Sequence, residues 1–306
     1  MKKLFLLLTI LLLASCSIVK EASTEFPIVE FEDEPTWEVD YIFVQEEVVK
    51  DIILKQDYLI TNPSSDVELD MTIYYPNTNQ TSYPAIISLA GGLGEKHGLS
   101  TVTPFLNKGI AFIAVSLDGR GESGGEEDFN GYIGQDGLYE TYRLAKSLEK
   151  IDENNIGAVS FSYGVAGISG MLARYQVPLK YYIEWEGPIN RNAVTKGCDL
   201  SSGAVPDVWE ECSNDTFWFE REAERFIPYF NVSHFLIMQG EEDHAGGDGE
   251  NSLNANNLAI QYLDWVRVND ADEINQEYTL ETIPKCKLGL DYKLLAAEFA
   301  SELSET

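Results

Sequence analysis

One serine stands where a strand-like run changes into a helix-like run. Residues 155–161 (NIGAVSF) are a short apolar run that predicts a buried strand, and residues 163–175 predict a helix. Ser162 lies between them, with Ser160 two residues before it and Gly164 two residues after it. A tight strand-to-helix turn lifts a serine hydroxyl above the sheet and requires small residues at both flanking positions. Ser162 is therefore a candidate nucleophile.

Backbone amides that could stabilise a negative charge are expected near this serine. The turn would place the N-terminus of the predicted helix beside it, so that the N–H of Tyr163 faces an oxyanion. A second N–H is expected from Gly92 or Leu93, in the glycine-rich loop that follows the predicted strand at residues 83–90. A nucleophile beside two such amides is typical of acyl transfer.

The rest of the chain supplies the elements that would position these groups. Two β-rich stretches, residues 41–57 and 67–76, suit an antiparallel pair at a sheet edge. Buried strand-like runs then alternate with helix-like runs, which predicts an α/β fold with a parallel sheet covered on both faces. The predicted strands are residues 83–90, 110–117, 155–161, 179–185, 234–239 and 277–283, and the predicted helices are residues 100–109, 136–150, 163–175, 252–269 and 291–303.

One long stretch interrupts this alternation. Residues 187–228 are loop-like, aromatic and acidic, and a stretch of this length inside a domain is usually functional. We interpret it as a lid inserted over the active edge, within a single domain at residues 40–306. Four aromatic residues could line a pocket there or form the core of the lid itself: Trp185, Trp209, Trp218 and Phe219.

Four motifs resemble those of a known family. They are YYP…PAIISLAGG, DGRGESGG, VSFSYG and MQGEEDH, in this order and each at the end of a predicted strand. Together they resemble the α/β-hydrolase family, especially its dienelactone-hydrolase and prolyl-oligopeptidase-like esterase branches, over about residues 40–300. The resemblance implies an α/β-hydrolase fold with a mostly parallel sheet. It also implies a serine hydrolase that cleaves carboxylic esters through an acyl-enzyme on Ser162, with peptide cleavage less well supported.

The chain departs from this family at two places. The usual pattern around the nucleophile is G-x-S-x-G, and Ser160 replaces the first glycine, although serine is also small. The resemblance implies a catalytic acid after the strand at residues 234–239, where Asp243 stands. It also implies a histidine after the last strand, but residues 281–293 contain none.

Three histidines remain as candidates for the general base: His97, His234 and His244. His244 follows the strand at residues 234–239 and so lies at the expected active edge. Because side chains adjacent in sequence diverge, Asp243 could hardly orient His244. Glu186 is then the better acid, and Asp248 is a weaker option.

Two alternatives stay open. His97, in the glycine-rich loop, could turn toward Ser162. Otherwise the triad is incomplete, and the protein is a catalytically silent α/β-hydrolase-fold binding protein at the cell surface.

His234 begins its predicted strand and is expected at the opposite edge, in a structural role. Arg120, in DGRGESGG, is expected to pair with an acid rather than with a substrate.

The composition excludes some classes of partner. The chain has 21 Lys and Arg against 51 Asp and Glu, for a formal charge of −30. Nucleic-acid binding requires clustered cations, so we expect no nucleic-acid partner. The sequence shows neither a His and Cys cluster at metal spacing nor a dinucleotide or P-loop motif. We therefore predict no metal and no cofactor. The family resemblance implies a small-molecule ester as the partner.

The N-terminus predicts export. Two lysines precede an apolar run that is too short to span a bilayer comfortably, and LASC at residues 13–16 resembles a bacterial lipobox. The resemblance implies cleavage before Cys16, with residues 1–15 as signal peptide, and lipidation of Cys16. Residues 16–39 would form a tether, and the protein would be anchored to the membrane on its extracytoplasmic side. In that oxidising environment Cys198 and Cys212 could form a disulfide.

Overall fold

The computed structural model describes most of the predicted domain. The described residues are residue 29, residues 31–32, 35–36, 38–50, 53–191 and 210–239, residue 263, and residues 266–268 and 291–306. Cys16, Cys198, Trp209, Asp243, His244, Asp248 and the predicted strand at residues 277–283 lie outside them. No helix in the described part of the chain is both long enough and apolar enough to cross a membrane.

The described strands and helices largely alternate along the chain. The strands are β1 (Tyr41–Val49), β2 (Ile53–Asn62), β3 (Val67–Pro76), β4 (Tyr83–Leu89), β5 (Ala111–Val115), β6 (Ile151–Phe161), β7 (Tyr181–Trp185), β8 (Phe235–Met238) and β9 (Val266–Val268). The helices are α1 (Leu99–Leu106), α2 (Tyr132–Ser147), α3 (Gly164–Arg174), α4 (Asp215–Phe219), α5 (Ala223–Phe226) and α6 (Asp291–Glu305), with a 3-10 turn at Ile227–Tyr229.

The nine described strands form one sheet, in the order β1-β2-β3-β5-β4-β6-β7-β8-β9. The first three strands are antiparallel to one another, and β3 is also antiparallel to β5. The strands from β5 through β9 in that order pair in parallel. The predicted α/β fold is therefore confirmed. Parallel pairing brings the carboxyl ends of β6, β7 and β8 to one edge of the sheet.

Two buried clusters cover the two faces of this sheet. On one face, strand residues pack with the apolar sides of α2 and α3, through residues such as Leu138 and Ile168. On the other face, strand residues pack with α1 and α6, through residues such as Phe105 and Phe299. The parallel strands β4, β5 and β8 are almost continuously apolar because both of their faces are covered, whereas β1 is exposed.

Two predicted elements differ from those observed. The stretch at residues 41–57 contains the whole first strand and part of the second, because the chain turns at Lys50, which has a φ of 51°. The helix predicted over residues 252–269 is wrong at Val266–Val268, which form β9 and pair with β8. Valine suits a buried strand, and the pairing available at the sheet edge outweighs the helical spacing around it.

Part of the segment predicted to be a tether contacts the domain. Val29 packs with Ala173 and Phe226 in a small buried cluster. The backbone N–H of Glu32 donates to the carbonyl oxygen of Arg174 at 2.8 Å, and its carboxylate accepts from the same residue's guanidinium at 3.0 Å. The predicted tether, residues 16–39, therefore contacts the domain through Val29 and Glu32.

Candidate active site

Ser162 occupies the turn between β6 and α3. Its φ of 51° lies in the left-handed region, which non-glycine residues rarely adopt. The N–H of Ser162 donates to the carbonyl oxygen of Trp185 at 2.8 Å, and its own carbonyl accepts from Val165 at 3.0 Å. Ser162 is partly exposed, whereas Phe161 and Tyr163 on either side of it are buried. This is the geometry that the sequence predicts for a nucleophile on a tight strand-to-helix turn.

Two glycines allow the backbone to pack against this turn. A Cβ on Gly91 would lie 2.9 Å from both the Phe161 carbonyl oxygen and the Ser162 Cβ. A Cβ on Gly164 would lie 2.8 Å from the Leu89 carbonyl oxygen. Neither contact leaves room for a side chain. The loop after β4 therefore packs directly on the candidate nucleophile.

The serine that replaces the family's first glycine has a partner inside the protein. Ser160 is fully buried, and its hydroxyl lies 2.7 Å from that of Tyr182 on the neighbouring strand β7. A hydroxyl can be both donor and acceptor, so this pair satisfies two buried polar groups. The departure from G-x-S-x-G is thus accommodated by a hydrogen bond between β6 and β7.

The amides predicted for an oxyanion hole belong to the cap of α3 and to the loop after β4. Tyr163 caps the N-terminus of α3, its carbonyl accepts from the Asn130 side chain at 2.8 Å, and its hydroxyl donates to the Phe129 carbonyl at 3.0 Å. In the loop after β4, the N–H groups of Gly92 and Leu93 donate no hydrogen bond to any described residue. Gly92 has a φ of 57°, so its amide is presented by a conformation that favours glycine.

Glu186 lies at the end of the neighbouring strand. Phe161 pairs with Trp185 and Trp185 with Met238, so Ser162, Glu186 and Gln239 follow in one row at the carboxyl edge. Glu186 is fully buried, has a φ of 43°, and donates its N–H to the Met238 carbonyl at 2.9 Å. A buried carboxyl group thus stands one strand away from the candidate nucleophile.

His97 is held in the protein by several contacts. Its Nδ1 lies 2.6 Å from the Ser88 hydroxyl. Its ring meets those of Phe161 and Phe112 edge to face, with centroids 5.1 and 6.1 Å apart. Burial, with a smaller effect from the charge of Lys293, lowers the pKa of His97 to about 4. Such a weak base accepts a proton poorly near neutral pH, so these contacts favour a structural role.

The other histidine that the structure describes lies far from this edge. His234 immediately precedes β8, at its amino end, and its Nδ1 is 3.3 Å from the Lys180 carbonyl oxygen. This agrees with the structural role predicted for it. Asp243 and His244 lie outside the described residues, so the geometry of the acid and base candidates after β8 stays a prediction.

The described part of the predicted lid packs beside the turn. Trp218 is buried and its Nε1 donates to the Glu211 carbonyl at 3.1 Å, so it forms core within the lid. Arg221 pairs with Asp128 at 2.9 Å. Asp128 lies in the loop after β5, and Phe129 and Asn130 of this loop hydrogen-bond to Tyr163. Cys212 is disulfide-bonded, and the other cysteines of the chain lie outside the described residues.

Two other predicted aromatic candidates also have partners. Trp185 is buried and stacks on Tyr292, with ring centroids 4.2 Å apart. The guanidinium of Arg225 lies 3.1 Å from the centroid of the Phe219 ring. Trp185 therefore belongs to the core rather than to an open pocket.

The loop after β5 contains Arg120, whose predicted pairing is confirmed, and Asn130, whose role was not predicted. Arg120 donates to Glu127 at 2.6 and 2.7 Å and to Asn130 at 2.9 Å, which is the structural pairing predicted for it. Asn130, which holds the Tyr163 carbonyl, was not predicted. The Asn-Gly pair at residues 130–131 was an available signal, because it favours a turn with positive φ, and Asn130 has a φ of 62°.

No group of three or more potential metal ligands occurs among the residues that the structure describes. The sequence matches no family model and no curated protein. Similarity to known proteins is therefore found by comparing structures rather than sequences.

Several solved structures share this architecture. One is acetyl xylan esterase 1 from Thermoanaerobacterium sp. JW/SL YS485, with a TM-score of 0.62 and 12% identity over 87% of this chain and 89% of that chain. Another is Est1E from Butyrivibrio proteoclasticus with bound ferulic acid, with a TM-score of 0.57 and 16% identity over 79% and 97%. A third is an S-formylglutathione hydrolase from Agrobacterium tumefaciens, with a TM-score of 0.57 and 14% identity over 85% and 98%. The chain therefore has the α/β-hydrolase fold.

Proposed function

We propose that the protein is a serine hydrolase that cleaves small carboxylic esters through an acyl-enzyme on Ser162. The observation that carries the proposal is the backbone of Ser162, which has a φ of 51° on a turn packed against Gly91. Strained non-glycine residues persist where the surrounding structure enforces them, and they cluster at active sites. The similar solved structures include an acetyl xylan esterase and an S-formylglutathione hydrolase, which supports ester cleavage.

The reaction would have two steps. The Ser162 Oγ attacks the ester carbonyl carbon as the base takes its proton, and the C–O bond of the leaving alcohol breaks after that proton is transferred to it. Water then attacks the acyl carbon as the same base accepts its proton. The bond from that carbon to the Ser162 Oγ breaks, the base returns the proton to Oγ, and the carboxylic acid leaves. The N–H of Tyr163 and that of Gly92 or Leu93 would stabilise the oxyanion in both steps.

His244 is the base in this proposal, with Glu186 as the acid that orients it. Gln239 stands two strands from Ser162, or about 10 Å at the usual strand spacing. From Gln239 to His244 the chain can extend by at most ~17 Å, so His244 can reach the serine. Glu186 is already buried between the two strands concerned, whereas Asp243 is adjacent in sequence to the base it would have to orient.

The test is the hydrolysis of p-nitrophenyl acetate. Release of nitrophenol is measured over time, and an initial burst reports formation of the acyl-enzyme. We expect Ser162→Ala and His244→Ala each to lower kcat by about 1,000-fold or more. His97→Asn is the matched control for the base and should lower kcat less than tenfold. Glu186→Gln should lower kcat more than Asp243→Asn does. Full turnover in Ser162→Ala would end the proposal, and a larger loss in His97→Asn than in His244→Ala would reassign the base.

The second candidate function is a silent hydrolase fold that binds a ligand at the cell surface. It is favoured by the missing histidine at residues 281–293. A fluorophosphonate probe separates the two candidates because it reacts only with an activated serine. Labelling that disappears in Ser162→Ala supports the hydrolase, and folded wild-type protein that stays unlabelled supports the binding protein.

We also propose that residues 1–15 are removed and that Cys16 is lipidated, which would anchor the protein to the extracytoplasmic side of the membrane. Metabolic labelling with an alkyne fatty acid should mark the wild type and not Cys16→Ala.

We further propose Cys198 as the disulfide partner of Cys212. Peptide mapping without reduction would identify that pair, and a Cys212–Cys286 peptide would contradict it.

A further inference from the structure

Two consecutive residues of the loop after β5 hold the residue that follows the candidate nucleophile. The Asn130 side-chain amide donates to the Tyr163 carbonyl at 2.8 Å, and the Phe129 carbonyl accepts from the Tyr163 hydroxyl at 3.0 Å. Asn130 is fully buried and Tyr163 is 2% exposed. We call Phe129 and Asn130 the clamp, because they hold Tyr163 both by its backbone and by the tip of its side chain.

Both clamp residues have a backbone conformation that is costly for them. The φ of Phe129 is 54° and that of Asn130 is 62°. Asparagine tolerates this left-handed region, whereas a bulky residue such as phenylalanine rarely adopts it. Residues strained in this way persist where the surrounding structure enforces them, and they cluster at functional sites. In this loop the two consecutive strained residues are the two that bond to Tyr163.

Two buried arginines hold the clamp in place. The Nη2 of Arg120 donates to the Oδ1 of Asn130 at 2.9 Å, which leaves the Nδ2 of Asn130 to donate to Tyr163. Arg221, in the predicted lid, donates at 2.6 Å to the carbonyl of Asp128, the residue before the clamp. Hydrogen bonds from a charged donor are stronger than neutral ones, so the position of the clamp is well determined.

The bond from Asn130 is not needed to satisfy the Tyr163 carbonyl. That oxygen already accepts from the N–H of Ala166 at 3.2 Å, at the start of α3. A carbonyl oxygen has two lone pairs, so it can accept both bonds. The additional bond fixes Tyr163 relative to the loop after β5, which a bond within α3 cannot do.

The residue held in this way provides one of the amides proposed for the oxyanion hole. The N–H and the carbonyl of a trans peptide point in opposite directions. In the peptide between Ser162 and Tyr163, the carbonyl accepts from Val165 at 3.0 Å, so the Tyr163 N–H points away from that bond. This peptide cannot rotate unless the rest of Tyr163 moves, and the clamp opposes that movement.

We infer that Asn130 is a positioning residue for the oxyanion hole, where it fixes the direction of the Tyr163 N–H. The inference rests on the acyl transfer proposed for Ser162. Asn130 is buried, so it acts through Tyr163 rather than on the substrate. A donor stabilises the charge that develops in the transition state only if it is already held in place. A displaced N–H should therefore slow both acylation and deacylation.

The experiment measures hydrolysis of p-nitrophenyl acetate by two variants at position 130, with rates expressed per folded molecule. Asn130→Gly permits the positive φ but removes the donor, and Asn130→Asp keeps the size of the side chain but can only accept. We expect each variant to lower kcat and kcat/KM together by about 10- to 100-fold, with KM nearly unchanged, because the lost interaction acts only in the transition state.

Asn155→Asp is the matched control. The Asn155 side chain, in the amino-terminal half of β6, donates to the Ser304 carbonyl at 2.8 Å. The control loses the same kind of bond away from the turn, so its kcat should stay within about twofold of the wild type. If the variants at position 130 fold poorly, Tyr163→Phe removes the other half of the clamp and should lower kcat about threefold or more. Its control is Tyr175→Phe, which loses a bond to Asp136 at the far end of α3.

The outcomes separate this inference from the proposed function. If the wild type is active and kcat is unchanged both in the variants at position 130 and in Tyr163→Phe, the inference is wrong and the proposed function stands. An equal loss in Asn155→Asp would mean general destabilisation, and a rise in KM at constant kcat would mean substrate binding, and either would overturn the inference. A wild type without turnover would end the proposed function and this inference with it.

Discussion

The backbone N–H of Ser162 donates a hydrogen bond of 2.8 Å to the carbonyl oxygen of Trp185. This bond joins the turn after β6 to the end of β7, and it brings the next residue, Glu186, to the same edge as the serine. Both Ser162 and Glu186 have positive φ, at 51° and 43°. Strained residues at two neighbouring strand ends are what we expect of the active site proposed at this edge.

The strain at Ser162 can be measured apart from its chemistry. Glycine adopts positive φ freely, so we expect Ser162→Gly to be about 1 kcal/mol more stable than Ser162→Ala, although neither can form an acyl-enzyme. Urea denaturation measures both. Ser147, within α2, is the control position. Because glycine is a poorer helix former than alanine, Ser147→Gly should have a lower free energy of unfolding than Ser147→Ala, by a similar amount. If Ser162→Ala is at least as stable as Ser162→Gly, the backbone at this position is not strained.

The packing of Gly91 on Ser162 should be intolerant of a methyl group. A Cβ there would lie 2.9 Å from two atoms of the turn, so Gly91→Ala should reduce the free energy of unfolding by about 1–3 kcal/mol and lower kcat by displacing the loop. Gly98→Ala is the matched control in the same loop, since its Cβ would meet nothing within 4 Å. Equal effects of the two changes would show that the loop does not press on the serine.

His97 should make stability depend on pH. Its pKa is about 4 in the folded protein against 6.5 for the free side chain. Between these values the unfolded chain binds more protons, so the contribution is fully present above pH 6.5 and is lost as the pH falls toward 4. The free energy of unfolding of the wild type should decrease relative to His97→Asn by about 2 kcal/mol between about pH 7 and pH 5.

That comparison is made by urea titration at each pH, with His234→Asn as the control. His234 precedes β8, at its amino end, away from this site. A difference between the wild type and His97→Asn that stays constant with pH would show that His97 titrates as it does in the unfolded chain.

The Ser160 and Tyr182 hydroxyls should be energetically coupled. Each is buried and lies 2.7 Å from the other, so Ser160→Ala and Tyr182→Phe should each reduce the free energy of unfolding by about 1–3 kcal/mol. The double variant should lose less than the sum of the two, by about 1 kcal/mol, because the second change leaves no partner unsatisfied. Additive losses in thermal and urea unfolding would mean that the two hydroxyls do not interact.

Ser162 can be identified from the sequence because its signal is local. An apolar run, small residues at positions 160 and 164 and a following helix all lie within about 20 residues, and their geometry depends mainly on backbone sterics. The alternation of strands and helices was predictable for the same reason. Where two local patterns competed, at Val266–Val268, the prediction of a helix was wrong, because pairing with β8 decided the outcome.

The sequence by itself thus determined the α/β fold class, the turn that carries Ser162 and the structural pairing of Arg120. Only the tertiary structure decided that Ser160 bonds to Tyr182 and that His97 bonds to Ser88. It also decided which strands are neighbours, and hence that Glu186 stands beside the serine. These contacts join residues on different strands and loops, and their partners are chosen by strand order and by packing density, which no local pattern encodes.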